Sequence, residues 1–175
     1  RRELMQMLVP DVHVALVKDV EESYPSDMAA EQVPEWLSRL KAAAYKDDMA
    51  SGEVLLTADT VVILDGEILG KPSDEDEARR MLKRLSGRSH TVVTGVTLTS
   101  EKHSESFSER TEVMFDELSD AEIDAYVSTY RPLDKAGAYG IQEWIGGIGI
   151  CGIRGCFYNV MGLPLHAVYE HLKKF

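Results

Sequence analysis

Residues 54–64, VLLTADTVVIL, constrain this chain more than any other stretch. The run has the length of one strand and is apolar everywhere except its middle, where Asp59 and Thr60 interrupt it. Burying a carboxylate costs several kcal/mol unless a cation or a metal compensates it. Asp59 is therefore either a structural cap or turn residue, or a functional carboxylate whose charge is balanced from elsewhere in the chain. Asp65-Gly66 follows directly and is a hairpin-type turn signal.

The remaining elements read outward from that strand. Residues 1–8 have helical spacing, with Leu4, Met5 and Leu8 on one face, and Pro10 stops the helix. Residues 12–17, VHVALV, read as a strand. Residues 31–49 are rich in helix formers, with Val33, Trp36, Leu37, Leu40 and Ala44 forming an apolar stripe. A helix is expected over 74–86, acidic at its start and basic at its end, with Gly87 as its stop. HTVVTGVTLTS and SFSERTEVMFDEL are two β-like runs joined by a polar turn at 101–104. Ser119 opens a helix with Glu122 at the capping-box position. Turns and short strands are expected over the Gly-rich 137–162, around a Cys-Gly-Ile-Arg-Gly-Cys hairpin, and Pro164 starts a terminal amphipathic helix. The mixture argues an α/β architecture without fixing its topology.

Composition excludes several classes of function. The 175 residues, 44% hydrophobic, suffice for one compact domain or two small lobes around one core. With 30 acidic against 19 basic side chains the net charge is −11, which disfavours binding to a nucleic-acid backbone. No apolar run approaches the roughly 18–20 residues of a membrane span. The chain opens without a basic-then-apolar leader, so a cytoplasmic location is expected. Cys151 and Cys156 are too few for a disulfide scaffold or a zinc site and read as reduced thiols. The five histidines lack metal-binding spacing. The segment 66–72, GEILGKP, is one residue short of a Walker loop and carries Pro72 where Ser or Thr belongs.

Other polar residues stay open on spacing alone. Lys71, in a Leu-Gly-Lys-Pro turn, is either solvated or aimed at a ligand. The segment 134–142, DKAGAYGIQ, is a helix start or the wall of a ligand loop. Arg1-Arg2 and Glu21-Glu22 read as exposed charge pairs or as parts of a site.

The strings ADTVVILDGEILGKP, LKRLSGRSHTVVTGVTL, DKAGAYGIQ and NVMGLPL together resemble the Maf family of nucleoside triphosphate pyrophosphatases, in that family's order and spacing. The resemblance implies an elongated, two-lobed, inosine-triphosphatase-like α/β fold with a mixed β-sheet and a cleft between the lobes. It implies one such domain over 1–175, with the family's first strand and phosphate-loop serines missing before Arg1. It places Asp59 on the catalytic aspartate that accepts a proton from water, and Glu21 on the glutamate that helps Asp59 hold metal, with Glu22 as the alternative. Arg1, Arg2, Lys41 and Lys71 fall on phosphate-binding positions. Arg1, Thr60 and Gln142 fall on positions that mark the branch acting on dTTP and UTP, rather than the one preferring 7-methyl-GTP.

The implied reaction is metal-assisted attack of water on the α-phosphorus, releasing pyrophosphate, with Mg²⁺ or Mn²⁺ as cofactor. The implied partners are a nucleotide substrate and a second copy in a homodimer, with no nucleic acid and no membrane. Two other readings compete: a non-catalytic nucleotide-binding regulator of cell division, and a house-cleaning pyrophosphatase for modified purine nucleotides. The Asp59, Lys41 and Lys71 set weighs against the first, and Thr60 with Gln142 against the second.

Overall fold

The computed structural model describes residues 1–16 and 18–175. The expected strand is present as β1 (Leu55–Leu64), which turns back into β2 (Glu67–Leu69) with Leu64 opposite Glu67. Asp65 and Gly66 both adopt positive φ, 53° and 80°, as a two-residue turn matched to the twist of its strands requires. β3 (Ser89–Thr99) and β4 (Ser104–Phe115) form a second hairpin, closed by the Ser100 amide donating to the His103 carbonyl at 2.7 Å. β5 (Ile150–Arg154) pairs antiparallel with β4, and the sheet order is β2-β1-β3-β4-β5.

Seven α-helices accompany this sheet among the described residues: α1 (Arg2–Gln6), α2 (Val33–Tyr45), α3 (Glu75–Leu85), α4 (Asp120–Tyr130), α5 (Trp144–Gly149), α6 (Phe157–Val160) and α7 (Leu165–Leu172). Their ends follow local chemistry. Asp74 caps α3 by accepting the Glu77 amide at 2.7 Å, and Ser119 with Glu122 forms the full capping box of α4. The α/β class is thereby established.

The chain divides into two compact units. The first comprises Arg1–Thr60, Val93–Glu109 and Tyr158–Phe175. Its core gathers Leu4 of α1, Ala58 of β1, Val96 and Leu98 of β3, and Leu165 and Val168 of α7. The second comprises Val61–Val92 and Arg110–Phe157. There α3 buries Ala78, Met81, Leu82 and Leu85, its i, i+3, i+4, i+7 stripe, and packs beside α4, which buries Ile123, Tyr126 and Val127. Among the described residues no helix is long and apolar enough to cross a membrane.

Three expectations about the elements fail. Residues 12–16 form no strand, and Val14 and Leu16 stand 63% and 91% exposed; Val17 lies outside the described residues. β propensity expresses itself only where a pleated surface offers packing, and this segment joins no strand of the sheet. The Cys-Gly-Ile-Arg-Gly-Cys stretch is not a hairpin. It is the single strand β5, after which the chain enters α6, and the Cys156 amide donates to Thr111 Oγ1 at 3.1 Å. The stretch before it, WIGGIG, is helical despite three glycines, because Ile145 is fully buried and tertiary packing overrides propensity.

His90 of β3 carries a cost of burial. It is 3% exposed, with Nε2 2.6 Å from the Tyr139 hydroxyl and the ring against Phe115. Nδ1 has no hydrogen-bond partner among the described residues. Burial pushes its pKa down to about 4, so the ring folds neutral. The unfolded chain takes up this proton near pH 6.5, whereas the folded protein refuses it until about pH 4. Stability is therefore full above the unfolded pKa and declines as pH falls between those limits. Urea melts should show about 2 kcal/mol less stability at pH 5 than at pH 7 from this residue, and His90→Gln should remove that part of the slope. An unchanged slope in the variant would refute the assignment.

Candidate active site

Thr57 and Asp59, two apart on β1, project to one face of the strand. Ser38 and Lys41, three apart on α2, share one side of the helix. The two pairs meet in step: Thr57 Oγ1 donates to the Ser38 carbonyl at 2.7 Å, and Lys41 Nζ donates to Asp59 Oδ1 at 2.6 Å. The Ser38 hydroxyl is wholly buried and lies 2.8 Å from both the Glu35 carbonyl and Thr97 Oγ1 of β3. Gly95 makes this seat possible, since a Cβ there would stand 2.1 Å from the Glu35 amide nitrogen. Bare backbone against backbone, with hydroxyls in the gap, holds α2 at the distance that brings Lys41 to Asp59.

A second carboxylate reaches the same ammonium. The chain near residue 22 is fastened over α2 by the Trp36 indole donating to the Ser23 carbonyl at 3.0 Å and by the Lys18 amide donating to the Tyr45 hydroxyl at 2.7 Å. Glu22 Oε1 then lies 2.8 Å from Lys41 Nζ. The neighbouring Glu21 is exposed, and its recorded hydrogen bond is that of its carbonyl, from the Ser23 amide. Of the acidic pair it is therefore Glu22, one residue beyond the expected Glu21, whose carboxylate enters the cluster. Burial opposes the charge on Lys41, but its bonds to Asp59 and Glu22 outweigh that and hold its pKa above the usual value.

Thr60 faces a different set of partners. Its hydroxyl is 2.8 Å from Thr94 Oγ1 and accepts from Arg1 Nη2 at 3.1 Å, while Arg1 Nε donates to the Gly162 carbonyl at 2.8 Å. Burial lowers the Arg1 pKa, and the carboxylates of Asp59 and Glu22 partly offset that. Arg1, Glu22, Lys41, Asp59 and Thr60 thus gather within the first unit. Arg2 is exposed on α1.

Lys71 and Gln142 belong to the second unit. Lys71 is exposed and near enough to Asp134 to help hold that carboxyl low, behind the larger effect of the Lys135 hydrogen bond. The Gly137 amide donates to the Gly70 carbonyl at 3.1 Å, tying the turn before Lys71 to the DKAGAYGIQ loop. Gln142 is exposed on an open pocket of about 430 Å³, lined also by Glu143, Gly146, Ile150, Ile153 and Phe157.

Ser38 and Thr94 were not marked by sequence reasoning. The available signal was a polar residue inside an apolar helical stripe, and the recurrence of threonines through the otherwise apolar run TVVTGVTLT. Among the described residues no group of three or more His, Cys, Asp or Glu side chains converges as a metal cage. Two hard carboxylates that converge, Glu22 and Asp59, nevertheless fit Mg²⁺ or Mn²⁺, ions that complete their shells with water and substrate phosphates.

The model of the family described as Maf-like protein matches residues 1–175. A dTTP/UTP pyrophosphatase of Bacteroides thetaiotaomicron is 53% identical over 174 residues, covering 99% of this chain and 90% of its own. Proteins of the same name from Phocaeicola vulgatus and Porphyromonas gingivalis are 52% and 51% identical, over 90% and 89% of their lengths.

The seat of α2 can be tested through Gly95. Gly→Ala changes at unstrained positions stabilise by roughly 0.4–1 kcal/mol through the unfolded chain. Gly95→Ala should instead destabilise by about 1–3 kcal/mol, because the helix backbone must move. Chemical denaturation gives the sign, and a stabilised variant would show that α2 does not rest on Gly95.

Proposed function

The chain belongs to the Maf family, and from that premise we propose that it hydrolyses dTTP and UTP to the monophosphate and pyrophosphate. The observation that carries the reading is Asp59, a carboxylate set in a buried strand and held 2.6 Å from an ammonium on which Glu22 also converges. A carboxylate so placed is neither a cap nor a turn residue, because β1 continues through it. Its charge is compensated by the Lys41 ammonium, and it is the group to which the reading gives the role of base.

In the proposed reaction Asp59 accepts the proton of a water that attacks the α-phosphorus. The new bond is water oxygen to phosphorus. The bond that breaks joins the α-phosphorus to the oxygen bridging to the β-phosphate, and pyrophosphate leaves with the electron pair. Glu22 and Asp59 would hold a divalent cation, which when bound supplies positive charge to the phosphate oxygens. Lys41 and Arg1 supply fixed positive charge to the phosphates, the contribution expected to dominate where negative charge builds on leaving oxygens. Lys41 is bonded to both carboxylates, and phosphate oxygens would compete for the same donor.

Asp59→Asn preserves shape and removes the base. It should keep the melting temperature within a few degrees while lowering kcat at least ~100-fold, the low end for losing a general base. EDTA should abolish wild-type turnover, and Mg²⁺ or Mn²⁺ should restore it. A folded Asp59→Asn enzyme with near-normal kcat would remove Asp59 from the reaction.

Base choice falls to Gln142. Its amide donates and accepts, matching the N3–H and adjacent carbonyl that uracil and thymine share. A site built on such pairs rejects a base that leaves them unpaired. UTP and dTTP should be turned over well, CTP and 7-methyl-GTP poorly, and Gln142→Glu should erode the preference. A wild type with higher kcat/KM for CTP or 7-methyl-GTP than for UTP would overturn this assignment while leaving the pyrophosphatase reading standing.

A further inference from the structure

Gln142 stands at the third position of a tight turn, residues 140–143, closed by the Glu143 amide donating to the Gly140 carbonyl at 3.0 Å. Both ends of this turn meet one atom. The Tyr126 hydroxyl accepts from the Gly140 amide at 3.1 Å and donates to Glu143 Oε2. Tyr126 lies on α4, is wholly buried, and stacks on Tyr130. Burial, with help from the Glu143 carboxylate, pushes its ionisation far up, so the phenol keeps the proton it donates. Lys135 Nζ holds the other Glu143 oxygen at 3.2 Å. The three groups leave the turn little freedom, and its exposed side chain, Gln142, is directed by backbone that Tyr126 pins from below.

We infer that the Tyr126 hydroxyl and the Glu143 carboxylate are positioning residues that set the Gln142 amide, and through it the discrimination between uracil and cytosine. The inference rests on the reading of Gln142 as the group that meets the base. Tyr126 is too deeply buried to touch a nucleotide, and the Glu143 carboxylate is engaged by Tyr126 and Lys135. Their effect is therefore on geometry. An amide whose donor and acceptor ends are equally available can flip to suit either pyrimidine, and it selects one only when its backbone and neighbours fix the orientation.

The test is the ratio of kcat/KM for UTP over CTP, measured with Mg²⁺ in the wild type, Tyr126→Phe, Glu143→Ala, Glu143→Gln and Gln142→Ala. Tyr126→Phe keeps the ring and its packing and removes only the hydroxyl. Its UTP-to-CTP ratio should fall about tenfold, with the loss for UTP carried mainly in KM. Glu143→Ala should match it, independently of whether Tyr126→Phe folds. A variant carrying both Tyr126→Phe and Glu143→Ala should lose no more than either single change, since both break one node. Glu143→Gln, which still offers the phenol an acceptor, should recover most of the ratio. A purely structural role would lower melting temperature without moving that ratio. Loss of discrimination in Gln142→Ala, with both Tyr126→Phe and Glu143→Ala retaining it, overturns the inference alone. A wild type that treats UTP and CTP alike overturns the reading beneath it as well.

Discussion

The contact between Lys41 and Asp59 is the constraint around which the first unit is arranged. A carboxylate in the middle of a buried strand must be met by positive charge, and the cation must come from an element that packs on the sheet. Lys41 meets this demand only because α2 is seated closely. Its approach is set by Gly95, which has no side chain to hold it off, and by the hydroxyls of Ser38, Thr57 and Thr97, which satisfy each other and the backbone in the space between. Apolar side chains in their place would fill the gap but would not fix the helix along the strand, whereas directional hydrogen bonds do.

The same economy of means recurs in the second unit with a different residue. There the hydroxyl of Tyr126, at the end of a rigid ring, reaches from a capped helix to a loop and serves both a backbone donor and a carboxylate. In both units the side chains assigned to chemistry stand one step outward from buried polar groups that never reach solvent. Half-buried Asp59 is met by a lysine whose helix is seated on interior hydroxyls, and on the inference drawn above exposed Gln142 takes its direction from another. Small errors of placement are expensive in such sites, which is why the supporting groups are buried and fully engaged.

Charge is distributed to the same end. A chain with net charge −11 has no general attraction for phosphates, and its exposed lysines and arginines are largely paired with carboxylates, as in Arg79 with Asp124 or Arg84 with Glu67. Such pairs add little stability, but they leave few cations unspent on the surface. In the first unit the positive groups Arg1 and Lys41 are gathered with Glu22 and Asp59, where the charges partly compensate. The proposed substrate would then be drawn by a local field rather than by the envelope of the protein.

How much of this was legible beforehand follows from the range of the interactions. The Asp-Gly turn, the Ser119 capping box, the acidic-to-basic helix α3, and β1 with its interrupting carboxylate are all settled within a few residues by periodicity, propensity and local hydrogen bonding, and they were readable directly. The stripe expected on α2, by contrast, is buried only at Val33 and Leu37, and Trp36 is exposed. The importance of Asp59 followed from the cost of burying charge, and its companions from resemblance among long strings. Other features were decided only in three dimensions. Residues 12–16 had the composition of a strand and found no sheet edge, while WIGGIG had the composition of a loop and folded as a helix because Ile145 is buried. The choice of Glu22 over Glu21 depended on where Trp36 and Tyr45 fasten a segment distant in sequence. Gly95 and Tyr126 carry no local mark at all, since their roles consist of contacts made across long stretches of chain. The sequence by itself determined the elements and the identity of the buried charge, because those rest on short-range physics. Only the tertiary structure decided which groups answer that charge and hold Gln142, because hydrogen bonds and close approaches between distant residues exist only once the chain has packed.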